Sequence, residues 1–146
     1  MNEQRVAREQ AKQRLKSIKS IRHEIEALKT AKNVAAEDVS FGSKNITADK
    51  VQTSKVNTAE NAMQRYVQLS FGIDYKIREL FAEEEKLLAC ISSIDDQDLR
   101  TLLENRYIND MPWSRVAAAM NYSCSYLMDL HRDALDIVAA YFDKRQ

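Results

Sequence analysis

A chain of 146 residues has room for about one compact domain with an appended helix. Only two Gly and one Pro interrupt a composition rich in Ala, Leu, Glu, Lys, Gln and Arg, which argues against turn-dense β architectures and predicts an all-α protein. The net charge is zero, the opening MNEQRVAREQ is polar, and no apolar run approaches the ~18 residues of a membrane span, so neither a signal peptide nor a membrane segment is expected and the chain reads as cytoplasmic.

Taken in chain order, Ala11, Leu15, Ile18, Ile21, Ile25 and Leu28 recur at spacings of three and four, predicting one helix over most of residues 3–31. Residues 32–56 are polar, with Asn33, Ser40, Gly42, Ser43, Asn45, Thr47, Thr53 and Ser54, and read as a flexible loop; a short strand near Val51 has no obvious pairing partner. Ala59, Met63, Tyr66, Ser70, Ile73, Ile77, Leu80, Glu84, Leu87, Ile91 and Ile94 then keep a 4-3 spacing along a central helix on the order of 50 Å long. That length suits an antiparallel, coiled-coil-like hairpin with the first helix, or a homo-oligomer through the long helices. Gly72 is the expected place for a bend. The hairpin would occupy residues 1–94.

SSIDDQD, from Ser92 to Asp98, separates this hairpin from a C-terminal domain over 95–146. Asp95 is the expected cap of a helix over about 96–108, with Asp96 and Asp98 in its first turn and Leu99, Leu102, Leu103 and Tyr107 on its apolar face. Two further helices, about 112–119 and 123–143, have the spacing of a helix-turn-helix. Pro112 suits a helix's first turn, Asn121 tolerates the left-handed conformation of a tight turn, and Ser123 can cap the following helix. Val116, Ala117, Met120, Leu127, Leu130 and Ala134 supply the apolar side, with the small Ala117 at the closest crossing. This architecture places a second helix in a DNA major groove.

With Leu127, Leu130 and Ala134 inward, helical geometry turns Cys124, Ser125, Met128, Asp129 and Arg132 outward; with Ser123 they are the candidate DNA contacts. Arg106, Arg115, Arg5, Arg8 and Lys12 are candidate phosphate contacts. Charge is unevenly spread. Residues 1–22 carry seven Arg and Lys against two Glu, whereas residues 95–146 carry six against nine Asp and Glu. The expected DNA reader is thus the acidic segment, and the basic first helix either supplies the missing phosphate affinity or simply solvates its own face. Trp113, Tyr107 and His131 read as packed residues, and His23 carries no signal.

LLENRYINDMPWSRVAAAMNYSCSYLMDLHRDAL resembles region 4 of sigma-70-type factors, with Met120-Asn121-Tyr122-Ser123 standing where sigma factors read roughly Leu-Gly-x-Ser. It is more similar to small sigma-region-4-like proteins of Gram-positive phages and prophages, which include RinA- and ArpU-like late transcription regulators. The shared features are Tyr122-Ser123, Leu130-His131 and Ala134-Leu135, together with the VQTS at Val51–Ser54. The resemblance is good over about 91–138, weak over 51–90 and absent before that. Arg115 departs from the usual Glu of sigma factors, and Asp129 from the basic residue of the relatives. The resemblance implies a transcription regulator that acts at a promoter through double-stranded DNA, RNA polymerase, or both.

Two rivals keep the same fold. One is a DNA-packaging or assembly protein of the small-terminase kind; the other is a protein-binding module that has lost DNA affinity. Catalysis has no support. There is no Gly-rich phosphate loop, metal-ligand spacing or defensible nucleophile arrangement, so no cofactor, metal or small-molecule substrate is expected. Cys90 and Cys124 read as free thiols, and Glu83, Glu84 and Glu85 as a solvated run.

Overall fold

The computed structural model describes residues 2–44 and 52–145, with side chains described over 2–39 and 59–145. Every element among the described residues is helical: α1 (Asn2–Lys44), α2 (Gln52–Ser92), α3 (Gln97–Leu103), α4 (Trp113–Met120) and α5 (Cys124–Asp143), with a π turn over Glu104–Ile108 continuing α3. No described helix is long and apolar enough to cross a membrane. Two compact units result, one of Met1–Arg22 with Ala82–Gln146 and one of His23–Phe81.

Within the second unit, α1 and α2 run side by side in opposite directions. Lys32 Nζ donates to Asp74 Oδ1 at 2.9 Å, and Lys29 lies 5.8 Å from the centre of the Phe81 ring. A shallow groove further along is lined by Ala35, Val39, Ala62 and Tyr66. The loop expected over 32–56 is therefore largely helix: α1 continues to Lys44 and α2 begins at Gln52. Ala35, Ala36, Glu37 and Val39 sustain the helix although polar neighbours blur its period, because propensity does not need an apolar stripe. Val51, where a strand is conceivable, lies outside the described residues.

Ile25, Ile73 and Leu80 are buried as the spacing predicts, but Met63 is 49% exposed. Met63 precedes Ile73 by ten residues, and at about 100° per residue this carries it roughly 80° round the helix from the buried face. Gly72 breaks nothing, for α2 runs on without interruption.

The first unit has a continuous core. Ala11, Leu15, Ile18 and Ile21 of α1 and Leu87, Cys90, Ile91 and Ile94 of α2 are buried, as are Leu99, Leu102 and Leu103 of α3. Val116 and Ala117 of α4 and Leu127, Ala134, Leu135 and Val138 of α5 complete it. α3 is capped by Asp96, not Asp95: the Asp96 carboxylate accepts from the Leu99 N–H at 3.1 Å. Only the residue three before that donor has its side chain at the open end of the first turn.

Candidate nucleic-acid interface

Beyond Leu103 the α3 helix widens. The Asn109 N–H reaches back five residues to the Glu104 carbonyl at 2.9 Å, and the Met111 N–H reaches the Asn105 carbonyl at 3.0 Å. Asp110 then takes φ 55, a left-handed turn that no glycine marks in the sequence. Its carboxylate meets Lys19 of α1 at 2.9 Å. The wide turn carries a buried Tyr107 hydroxyl to 2.7 Å from His131 Nε2, while Trp113 meets the same imidazole edge-on at 4.6 Å between centroids. Burial lowers the His131 pKa to about 4 and raises that of Tyr107 to about 12, so both are neutral near pH 7. Tyr107, Trp113 and His131 are thus structural, holding the α3 end, α4 and α5 together.

α4 begins after Pro112 (φ −66, ψ 154) and ends at Asn121, whose φ of 59 and ψ of 38 place it in the left-handed region. The chain reverses there, and the Tyr122 N–H donates to the Ala117 carbonyl at 3.1 Å. Ser123 Oγ then accepts from the Tyr126 N–H at 3.1 Å and starts α5. Ala117 is buried and Ala118 exposed, which is the register expected of a close α4–α5 crossing.

Ser123, Cys124, Ser125, Met128, Asp129 and Arg132 are all exposed. Ser125, Asp129 and Arg132 lie away from the core face, whereas Cys124 and Met128 are near the line of the buried Leu135 and are exposed towards the start of the helix. They differ in what they have to offer. Arg132 donates to Asp129 at 3.1 Å, so the one cation and its neighbouring anion are already paired. Asp133 is exposed beside them. Two aromatic residues absent from the sequence-based set complete the α5 N-terminus: Tyr126, 47% exposed, stacks edge-on against Tyr122 at 4.8 Å. The Tyr122 hydroxyl in turn donates to Asp98 at 2.7 Å, and that carboxylate holds the phenol pKa above its ordinary value. The helical period hides Tyr126, because it lies one turn ahead of Leu130, which the same period sets inward; in the fold Leu130 is only half-buried and Tyr126 is exposed.

The expected phosphate contacts are scattered, and two of the five, Arg8 and Arg106, are engaged within the fold. Arg8 donates to both oxygens of Asp136, at 2.7 and 3.0 Å; its hydrogen bond holds that carboxyl below the usual range, and the carboxylate raises the Arg8 pKa in return. Arg106 neither meets a carboxylate nor points free: it donates to the Met111 carbonyl at 3.0 Å and lies 4.8 Å over the Trp113 ring. Arg22, which sequence reasoning did not select, donates to the Ile108 carbonyl at 2.8 Å and faces Glu84 at 3.5 Å. Arg5 and Arg115 are exposed and Lys12 half-buried. The basic start of α1 is therefore partly spent on the acids and carbonyls of its own unit. Arg14, Lys86 and Arg145 gather at a groove of about 630 Å³, where Arg14 and Arg145 lie 4.6 and 3.9 Å over the Phe142 and Tyr141 rings.

Both cysteines are free; burial pushes the Cys90 thiol up to about 11, whereas Cys124 is exposed at the start of α5. Among the described residues no cluster of three His, Cys, Asp or Glu side chains is arranged to hold a metal ion.

A family model described as a protein of unknown function, DUF1492, matches residues 40–138. The chain belongs to this family. The DUF1492 match takes in α2, α3, α4 and α5 as far as Val138, and leaves residues 1–39, with the Arg8 and Lys19 that meet Asp136 and Asp110, outside it. No curated protein and no solved structure matches the chain.

Proposed function

We propose that this DUF1492 protein is a cytoplasmic phage or prophage transcription regulator in which α4 and α5 form a sigma-region-4-like helix-turn-helix. In this reading α3, α4 and α5 are its three-helix domain, and the antiparallel run of α1 and α2 is a coiled-coil-like hairpin. The observation that carries the proposal is the turn: Asn121 in the left-handed region, Ser123 capping α5, and an α5 face that no core contact uses. Ser123, Ser125, Tyr126 and Met128 at the α5 N-terminus are suited to backbone and base-edge contacts, where exposed N–H groups and the helix dipole favour phosphate. Arg132 becomes available to DNA when it leaves Asp129.

A protein-binding role, with RNA polymerase as partner, is favoured by a separate observation. Asp129 and Asp133 are exposed on this helix, and each repels phosphate. Selection from a random duplex library, followed by affinity measurements at two salt concentrations, tests the two. DNA reading predicts that Arg132→Ala weakens the selected site by about 1–3 kcal/mol if the contact is to a base edge. It also predicts that Asp129→Arg tightens binding. Unchanged affinities in both variants, with the helical signal intact, would end the DNA reading. Binding of purified RNA polymerase without DNA would then carry the protein-binding one.

A further inference from the structure

We propose that residues 60–78 of α2 form the interface of a homodimer, in which a second copy of this chain packs its α2 antiparallel against the first. The inference rests on α2 alone and is independent of the role assigned to α4 and α5.

α2 carries apolar side chains on two faces. Ile73 and Leu80 are 5% and 4% exposed and belong to the unit's interior. Met63, Val67, Phe71 and Tyr75 follow one another at intervals of four and are 49%, 42%, 69% and 64% exposed. At about 100° per residue, Phe71 and Tyr75 lie roughly 160° from Ile73 round the helix, Val67 about 120° and Met63 about 80°, so the stripe runs along a face distinct from the buried one. Single exposed apolar residues are ordinary on a protein surface, but four in a row along one helix are not. With about 200 Å² as the typical area of an aromatic side chain, the exposed parts of Phe71 and Tyr75 alone exceed roughly 250 Å². Met63 and Val67 extend the patch over about 18 Å of helix. Doubled by symmetry and rimmed by polar side chains, it reaches the roughly 1,000 Å² range of a specific interface.

The charges at its ends identify the occupant. Glu60 and Arg78 are both exposed, and neither has an ion-pair partner among the described residues. They stand 18 residues apart, about five full turns, so they lie on one line along the helix and bracket the stripe. In an antiparallel pair related by a two-fold axis, Glu60 faces the partner's Arg78, Met63 faces the partner's Tyr75, and Val67 faces the partner's Phe71. Each ring then meets a smaller or more pliable side chain, and each charge meets its opposite. A parallel pair sets Glu60 on Glu60, Arg78 on Arg78 and ring on ring. The order of residues along this face is therefore complementary to itself only when reversed.

Sedimentation velocity of the full-length chain, from about 1 to 100 µM, tests the proposal across the range of a moderate dimer. The wild type is expected to dimerise. Phe71→Asp is expected to weaken association at least about thirtyfold, because it places a charge at the centre of the interface twice over. Arg78→Glu should weaken it about tenfold by turning two attractions into repulsions, and Glu60→Arg combined with Arg78→Glu should restore it. A monomer throughout the range overturns the proposal and leaves the stripe to a different protein. A dimer indifferent to Phe71→Asp overturns the interface. A dimer that the charge reversal does not rescue overturns the antiparallel register. All three altered side chains are exposed, and circular dichroism checks that α2 still folds.

Discussion

The region from α3 to α5 and the hairpin segment His23–Phe81 use the same alphabet of residues to opposite effect. Over 97–143 eleven described side chains are buried, against three over 23–81, and large exposed hydrophobics number three and seven respectively. The first region also spells out its punctuation. Asp96 and Ser123 cap helices, Pro112 opens one, and Asn121 closes one in the left-handed region. The hairpin segment has no such marks, and its helices are held by propensity, a thin line of apolar contacts and ion pairs such as Lys32–Asp74. A short helix must be specified residue by residue because it cannot nucleate alone, whereas a helix of forty residues tolerates an indifferent stretch. Packing is concentrated in the unit that holds the short helices, which also takes in the start of α1 and the end of α2.

The largest expected effect sharpens that contrast through pH. His131 is a buried group whose pKa falls from 6.5 to about 4 in the fold, so the unfolded chain binds the extra proton between these values. The sign follows: its contribution is whole above about pH 6.5 and is lost as pH falls towards 4, by up to about 3 kcal/mol. Thermal melts of the α3–α5 signal should drop across this window, and His131→Phe should flatten the dependence. A wild-type melt that does not change between pH 6.5 and 4.5 would remove His131 from the core.

The next effect addresses the α4–α5 crossing. Ala117 is buried and Ala118 exposed, so Ala117→Leu should destabilise by roughly 1–3 kcal/mol through overpacking. Ala118→Leu, the same chemical change about 100° away, should stay within about 0.5 kcal/mol of the wild type. Equal shifts in the two denaturation midpoints would contradict the register of α4.

The smallest effect has the opposite sign and lies in the other region. A Cβ added at Gly72 meets nothing within 4 Å, and the helix is unbroken there. Gly72→Ala should therefore stabilise α2 by about 1 kcal/mol, read as a higher melting midpoint of the helical signal. A loss of stability instead would mean that Gly72 serves a close approach or a bend.

Much of this was legible in the residues themselves. The all-helical class followed from composition. The turn at Asn121, the cap at Ser123 and, of the inward set Leu127, Leu130 and Ala134, the burial of Leu127 and Ala134 followed from local stereochemistry and the helical period, which act over a few residues; Leu130 is only half-buried. The outward Ser125, Asp129 and Arg132 of α5 followed from the same period. What the sequence could not settle depended on partners distant in the chain. The basic residues of α1 looked available for phosphate until the fold set Arg8 against Asp136 and Lys19 against Asp110. Arg106 looked like a surface cation until the π turn laid it over Trp113. Met63 belonged to an even 4-3 series, but a straight helix turns 3.6 residues at a time and carried it into solvent. The 32–44 stretch reads as loop because periodicity reports burial, not helicity: it is helical, and none of its side chains over 32–39 is fully buried. Local rules fix which residues can start, stop and face inward. Only the tertiary structure decides which charges remain to meet a partner, because that depends on which charges the fold has already paired.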